Sequence, residues 1–252
     1  GCCYPDDMNL DLINLGGLES KRLNELETRL NLISTNTINL DYVSLVFQED
    51  SLYFNFKKER ALTPLKIDIQ KGALGWRLAR PQHETHLKKA IGKTDRPLRI
   101  LDATAGLLGD SMIMLALGHS VTAYEQSKIL YTMLNNELNQ LAETDSNLLN
   151  FKLINSNVCE ANFNEKSFDI IYFDPMYPED KASSARRSDL KKINSILEIE
   201  GLASDPESTF TYLRSIPKTK LIVKRPLKVD AFKGSINYQI TGKSVRFDIY
   251  LN

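Results

Sequence analysis

Residues 98–110 read Leu98-Arg-Ile-Leu-Asp102-Ala-Thr-Ala-Gly106-Leu-Leu-Gly109-Asp110. An apolar run ends in an acid, passes through small residues and a glycine, and enters an apolar helical pattern. A strand that turns through glycine into a helix lets a ligand approach the backbone, and open α/β sheets bind ligands beyond the carboxyl ends of their strands. This is not the dinucleotide-binding pattern, since Ala103 and Ala105 flank a single Gly106 where Gly-x-Gly-x-x-Gly is required. Bare amides at a helix start suit a pyrophosphate, whereas a ligand carrying sulfonium and ammonium charges is satisfied by carboxylates such as Asp102 and Asp110. Taken alone, the loop also fits a tight strand-to-helix turn, the lesser of the two readings.

Outward from this loop, strand and helix patterns alternate, the sign of a parallel sheet covered on both faces. Strands are predicted at 98–102, 120–125, 151–155, 168–174 and 220–224, and helices at about 109–117, 127–142, 186–199 and 206–215. Residues 236–241 and 245–251 break the alternation around Gly242 and read as an antiparallel hairpin closing the sheet edge. The fold class is α/β, a doubly wound sheet with a C-terminal hairpin. Before Thr94-Asp95-Arg96-Pro97 the chain reads differently. Leu23, Leu26, Leu30 and Ile33 recur at helical spacing, 42–47 and 52–56 look like strands joined at Glu49-Asp50-Ser51, and Leu65, Ile67 and Ile69 alternate as a third. Gly72 to Leu78 starts a helical stretch that Pro81 interrupts. The expected organisation is a small α+β N-terminal domain over 1–95, a candidate RNA contact, and a larger domain over 96–252.

The 252 residues are 42% hydrophobic and 25% charged, enough to bury one large core with a smaller appendage. No apolar run reaches the roughly 18 to 20 residues that span a bilayer, and the start of the chain lacks a basic-then-apolar order, so a cytoplasmic protein without a membrane partner is expected. Cys2, Cys3 and Cys159 lack metal-ligand spacing, so thiols are expected to be reduced and no metal is expected. Pro5 stands where the myristoylation pattern after Gly1 needs Ser or Thr. The 32 basic and 32 acidic side chains cancel, so any nucleic-acid surface must be local. Residues 71–99 hold eight Lys or Arg against Glu84 and Asp95, and residues 214–246 hold nine against Asp230. Such asymmetry builds either a phosphate-tracking face or solvated helix surfaces.

Glu125, at the end of the second strand of the larger domain, stands where an acid accepts hydrogen bonds from ribose hydroxyls. Gln126 follows it, and Asn157, past the next strand, falls at an adenine contact or a cap. The motif nearest to chemistry is Asp174-Pro175-Met176-Tyr177, after Phe168-Asp-Ile-Ile-Tyr-Phe. It resembles the Asn/Asp-Pro-Pro-Tyr motif of methyltransferases that act on planar amino groups. An exocyclic amine is a poor nucleophile because its lone pair is delocalised, so acceptors on its N–H bonds must favour a pyramidal nitrogen. Asp174 offers one acceptor, the Pro175 carbonyl a second with direction set by the ring, and Tyr177 a stacking face.

Asp102-Ala-Thr-Ala-Gly-Leu, Tyr172-Phe-Asp-Pro-Met-Tyr-Pro178, Val223-Lys-Arg-Pro226 and Gly242-Lys-Ser-Val-Arg-Phe-Asp-Ile-Tyr250 resemble, in order and spacing, the bacterial small-subunit ribosomal RNA guanine-N2 methyltransferases of the RsmJ family. The resemblance spans roughly 60–252. It implies a class I, Rossmann-like methyltransferase that uses S-adenosylmethionine on a guanine near the 3′ end of 16S ribosomal RNA, free or in the small subunit. It places cofactor contacts at Asp110 in the loop containing Gly106 and Gly109, and at Glu125, Gln126, Asn157, Val158 and Asp174. Where the family has Arg, Arg and paired serines, this chain has Gly109, Gln126 and Asn157-Val158. Candidate RNA contacts are Arg186 and Arg187 with Lys191 and Lys192 after the motif, Lys224, Arg225 and Arg246 at strand ends, and Arg77, Arg80 and His83 beside them. Adenine-N6 or protein-glutamine methylation fits the same motif. A nicotinamide-dependent oxidoreductase and a non-catalytic RNA-binding module also stay open on the residues alone.

Overall fold

The computed structural model describes residues 10–16, 20–37, 43–56, 62–163, 167–176, 184–203 and 205–251, with the side chains of 20 and 184–188 outside that description. The described elements are β1 (Leu10–Asn14), α1 (Ser20–Leu30), β2 (Ser34–Thr35), β3 (Val43–Gln48), β4 (Ser51–Asn55), β5 (Leu65–Lys66), α2 (Gly72–Leu78), α3 (Thr85–Ile91), β6 (Arg99–Asp102), α4 (Gly109–Ala116), β7 (Ser120–Glu125) and α5 (Lys128–Leu141). They continue with β8 (Phe151–Asn155), β9 (Ile170–Phe173), α6 (Ser184–Ile199), α7 (Pro206–Ser215), β10 (Lys220–Pro226), β11 (Tyr238–Thr241) and β12 (Val245–Leu251).

Seven strands form the larger sheet in the order β11-β12-β10-β9-β6-β7-β8. Every pairing from β10 to β8 is parallel, while β12 pairs antiparallel with both β10 and β11. The hairpin therefore does more than close the edge: its second strand lies inside, against β10, and its first strand is the new edge. Period-two alternation assigns the two faces. Ile100, Ile170, Tyr172 and Ile222 face one core, shared with Met112, Ile113 and Leu134 of α4 and α5. Leu101, Ile171, Phe173, Leu221 and Val223 face the other, against Phe210 and Leu213 of α7. Because helices cover both faces, the four residues of β9 are all buried, which is why this strand reads as an unbroken apolar run.

The smaller sheet has the order β2-β1-β3-β4-β5, and β1 runs parallel to both its neighbours. Glu49 and Asp50 join β3 to β4 with φ of 48° and 62°, the paired left-handed turn that matches strand twist. α5 touches β4 on one side and β7 and β8 on the other. Leu45, Phe47 and Phe54 thereby enter the same apolar core as Leu130 and Leu134.

Two local expectations change. Ile33 is 87% exposed, because α1 ends at Leu30 and Asn31 turns left-handed with φ 55°. Of the Leu65–Ile69 alternation only Leu65–Lys66 pairs as a strand, although Leu65, Ile67 and Ile69 are all buried. β1 and α3 carried no sequence expectation.

Candidate active site

The carboxyl ends of β6, β7, β8, β9 and β10 converge on two adjoining cavities. The first is lined by Gly106, Tyr124, Glu125, Gln126, Asn157 and Val158, among others. The second is lined by Arg77, Asp102, Gly109, Asp110, Tyr172 and Lys224, among others. Thr104, Gly106, Asp174, Pro175, Met176 and Ile193 belong to both walls.

The loop from β6 to α4 is sewn to its neighbours: Ala103 N–H donates to the Tyr172 carbonyl and Ala105 N–H to the Tyr124 carbonyl, both at 2.9 Å. Gly106 has φ 53°, and the non-glycine Leu108 has φ 62° as it enters α4. A buried leucine held left-handed stores strain that surrounding packing must hold in place. Asp102 is buried inside this turn, accepting from Thr104 N–H at 3.0 Å and from Ser111 Oγ at 2.6 Å. Burial pushes its carboxyl up to about 7, against those two bonds. Its oxygens brace the loop first, and the carboxyl meets the second cavity from behind it.

Glu125 closes the floor of the first cavity. Its Oε1 accepts from Ser127 N–H at 2.8 Å, and burial, with Glu200 close by, pushes the carboxyl up to about 7. Ser127 caps α5 by accepting from Leu130 N–H at 2.9 Å. Glu200, just past α6, accepts from Lys128 N–H at 2.9 Å and Ile129 N–H at 3.2 Å, and also from Ser127 Oγ. A carboxylate thus sits on the positive end of α5 beside the cavity. Asn157 caps the short turn at Val158–Glu160 through Cys159 N–H at 3.0 Å. The cap and the cavity wall are one residue, and Gln126 and the buried Val158 line the same wall.

Asp174 follows β9. Its N–H donates to Thr104 Oγ1 at 2.9 Å, which ties the motif to the glycine loop. Lys224, near the end of β10, lies 2.8 Å from Asp174 Oδ2 and 2.5 Å from Asp110 Oδ2. Asp110 also accepts from Arg77 Nη2 at 3.1 Å and from Tyr172 Oη at 2.5 Å. Although burial acts the other way, Lys224 and these donors hold Asp110 well below the usual carboxylate range, while burial and Asp110 raise the Tyr172 hydroxyl well above its own. Pro175 is buried beside Asp174. Tyr177 lies outside the described residues.

The expected phosphate contacts divide. Arg246 is buried and its five N–H donors are consumed: Nε and Nη2 by Asp248 at 2.9 and 3.3 Å, Nη1 by the Pro226 and Leu227 carbonyls, Nη2 by the Val229 carbonyl. It locks the segment after β10 and has no donor left for a phosphate, which corrects that expectation. Arg225 is buried as well, its guanidinium 4.0 Å from the Phe232 ring centre, so it too faces the core. Lys224 faces acids in the cavity instead of open solvent. Arg77 pairs with Glu84 at 2.6 Å and with Asp110, and so belongs to the cavity wall. Arg80 and His83 are exposed, as is Lys191, while Lys192 is half-buried. The side chains of Arg186 and Arg187 lie outside the described residues. Sequence reasoning missed Thr104, Tyr172, Ser111 and Glu200, whose partners are 9 to 73 positions away.

The family described as "Putative SAM-dependent methyltransferase" matches residues 25–252. The chain is 33% identical to ribosomal RNA small subunit methyltransferase J of Alcanivorax borkumensis, over 75% of this chain and 76% of that one. It is 32% identical to the protein of the same name from Neisseria meningitidis serogroup C, over 73% and 75%. A crystal structure of a SAM-dependent methyltransferase from Neisseria gonorrhoeae superposes with a TM-score of 0.69 at 26% identity, covering 96% of this chain and 95% of that one.

Proposed function

Because this chain belongs to the SAM-dependent methyltransferase family that includes ribosomal RNA small subunit methyltransferase J, we propose that it methylates the exocyclic N2 of a guanine near the 3′ end of small-subunit ribosomal RNA. Methyl transfer from S-adenosylmethionine is the family's chemistry; the RNA comes from the names of the relatives, and guanine N2 from the shared motifs. The proposed place of action is the cytoplasm; no described helix is long and apolar enough to cross a membrane.

The residues present fit the cofactor. Glu125 has a carboxyl in a cavity wall that also holds Tyr124, Leu130 and Val158, suited to a ribose diol beside an adenine ring. Gly106, with φ 53°, brings backbone close to both cavities. Asp102, Asp110 and Asp174 face the second cavity, where a sulfonium and an ammonium need negative neighbours. Gln126, Asn157 and Val158 complete the nucleoside side, and Gly109 the loop. When bound, the cofactor supplies an electrophilic methyl on sulfur.

One observation carries the proposal: Asp174 stands in the wall common to both cavities, its backbone fixed by Thr104 and its carboxylate by Lys224. A guanine amine in the second cavity donates one N–H to Asp174 and the other to the Pro175 carbonyl. These acceptors favour a pyramidal nitrogen with its lone pair turned toward the methyl donor. The proton is shed readily from the methylated product, so no strong base is needed. The test is incubation with labelled S-adenosylmethionine and unmethylated small subunits, followed by mapping of the labelled nucleotide. A single N2-methylguanine near the 3′ end is expected; label on an adenine, on protein or nowhere would contradict the proposal.

A further inference from the structure

Trp76 is the sole tryptophan of the chain, and it is 60% exposed. Large aromatic side chains are usually well buried, so an open indole calls for an explanation. Helix geometry supplies part of it. Leu74 and Leu78 of α2 pack against the core, one turn apart, and Arg77 reaches Asp110 in the second cavity at 3.1 Å. Trp76 lies on the remaining face. Gly75 keeps the helix close to the preceding segment, since a Cβ there would meet the Gln70 carbonyl oxygen at 1.9 Å. The indole is thereby held next to a cavity-lining residue on a helix fixed at both sides.

Arg80 lies over the ring, its guanidinium carbon 5.3 Å from the centre. A guanidinium on one face of an indole leaves the other face open and adds positive charge beside it. From Lys71 to His83 the sequence contains Lys71, Arg77, Arg80 and His83 and no acid. The nearest following acid, Glu84, is engaged by Arg77, and Lys71 pairs with Asp68 at 3.5 Å. Ser244 and Val245 line the same cavity as Arg77, and Lys243, next to them in sequence, is exposed. An exposed flat apolar face with a guanidinium over it, one residue from the cavity-lining Arg77, matches an unpaired nucleobase with its phosphates, because every base has a π-face and single-stranded RNA is bound by stacking.

We propose that Trp76 and Arg80 form a stacking platform for an unpaired base flanking the target guanine, an inference that rests on the RNA reading above. As the chain's sole tryptophan, Trp76 serves as its own reporter. The probe is a fluorescein-labelled single-stranded RNA copied from the 3′ end of the small-subunit RNA, with binding followed by anisotropy and by tryptophan emission. Emission should be quenched in parallel with binding. Trp76→Ala should bind the RNA roughly 5- to 150-fold more weakly, the equivalent of one stacked base, while Trp76→Phe keeps most of the affinity and S-adenosylmethionine binding is unchanged in both. Binding by the wild type with unchanged emission, or equal binding by Trp76→Ala, would overturn the platform and leave the RNA reading standing. Absence of wild-type binding to this RNA and to intact small subunits would overturn both.

Discussion

Lys224 and Asp174 form an ion pair 2.8 Å apart at the tips of adjacent parallel strands, and the same ammonium binds Asp110 at 2.5 Å. One cation therefore fixes both the acid of the proposed amine site and an acid of the glycine loop.

Removing that cation has two consequences. Lys224→Met leaves two carboxylates, each less than one-fifth exposed, without their shared partner. Breaking a buried pair in this way should cost about 3 kcal/mol, read by urea denaturation. Displacement of Asp174 should lower kcat on the order of 100-fold, with KM for RNA nearly unchanged. A phosphate-gripping lysine would give the reverse: a raised KM, a shallower salt dependence and an unaffected kcat.

Glu125 should make ligand-free stability depend on pH. Its pKa is raised from 4.5 to about 7 in the folded protein, so between these values the native state binds more protons than the unfolded chain. The stability from this group is full below about pH 4.5 and lost as pH rises through about 7. Glu125→Gln keeps an acceptor for Ser127 N–H and removes the charge. Relative to wild type it should gain on the order of 2 kcal/mol at pH 8 compared with pH 4.5, measured as the difference between urea midpoints at the two values. A pH-independent difference would show that the carboxyl is not held neutral.

Arg246 should prove structural. Arg246→Lys takes donors from the Leu227 and Val229 carbonyls and from half of the Asp248 carboxylate, and leaves the Pro226 carbonyl with the Val229 N–H. A loss of about 2–3 kcal/mol is expected, with RNA affinity unchanged at temperatures where the variant is folded.

The sequence was most legible where local pattern and tertiary role coincide. β7, β8 and β12 begin and end where apolar runs meet acids, turns and Gly242. Glu125 and Asp174 are legible as cavity-wall positions because a parallel sheet presents its strand ends at such a cleft. Lys224 and Arg246 depart from the expected open phosphate contacts for the opposite reason. A basic residue at a strand tip signals a phosphate contact unless an acid faces it, and the acids facing Lys224 are Asp174 after β9 and Asp110 on α4, the latter 114 positions earlier. Arg246 carried a local clue: Asp248, two residues on, shares its face of the strand. The place of β1 depends on a parallel pairing with β3 that no hairpin turn announces.

The central claim is that the carboxylate at position 174 acts on the amine during transfer. Single-turnover methylation of unmethylated small subunits by Asp174→Ala, with the cofactor saturating, tests it most directly. The rate should fall at least roughly 1,000-fold, about 4 kcal/mol in the barrier, with cofactor affinity within about tenfold of wild type and an unchanged fold by circular dichroism. A folded, cofactor-binding variant that methylates the same guanine at close to the wild-type rate would contradict it.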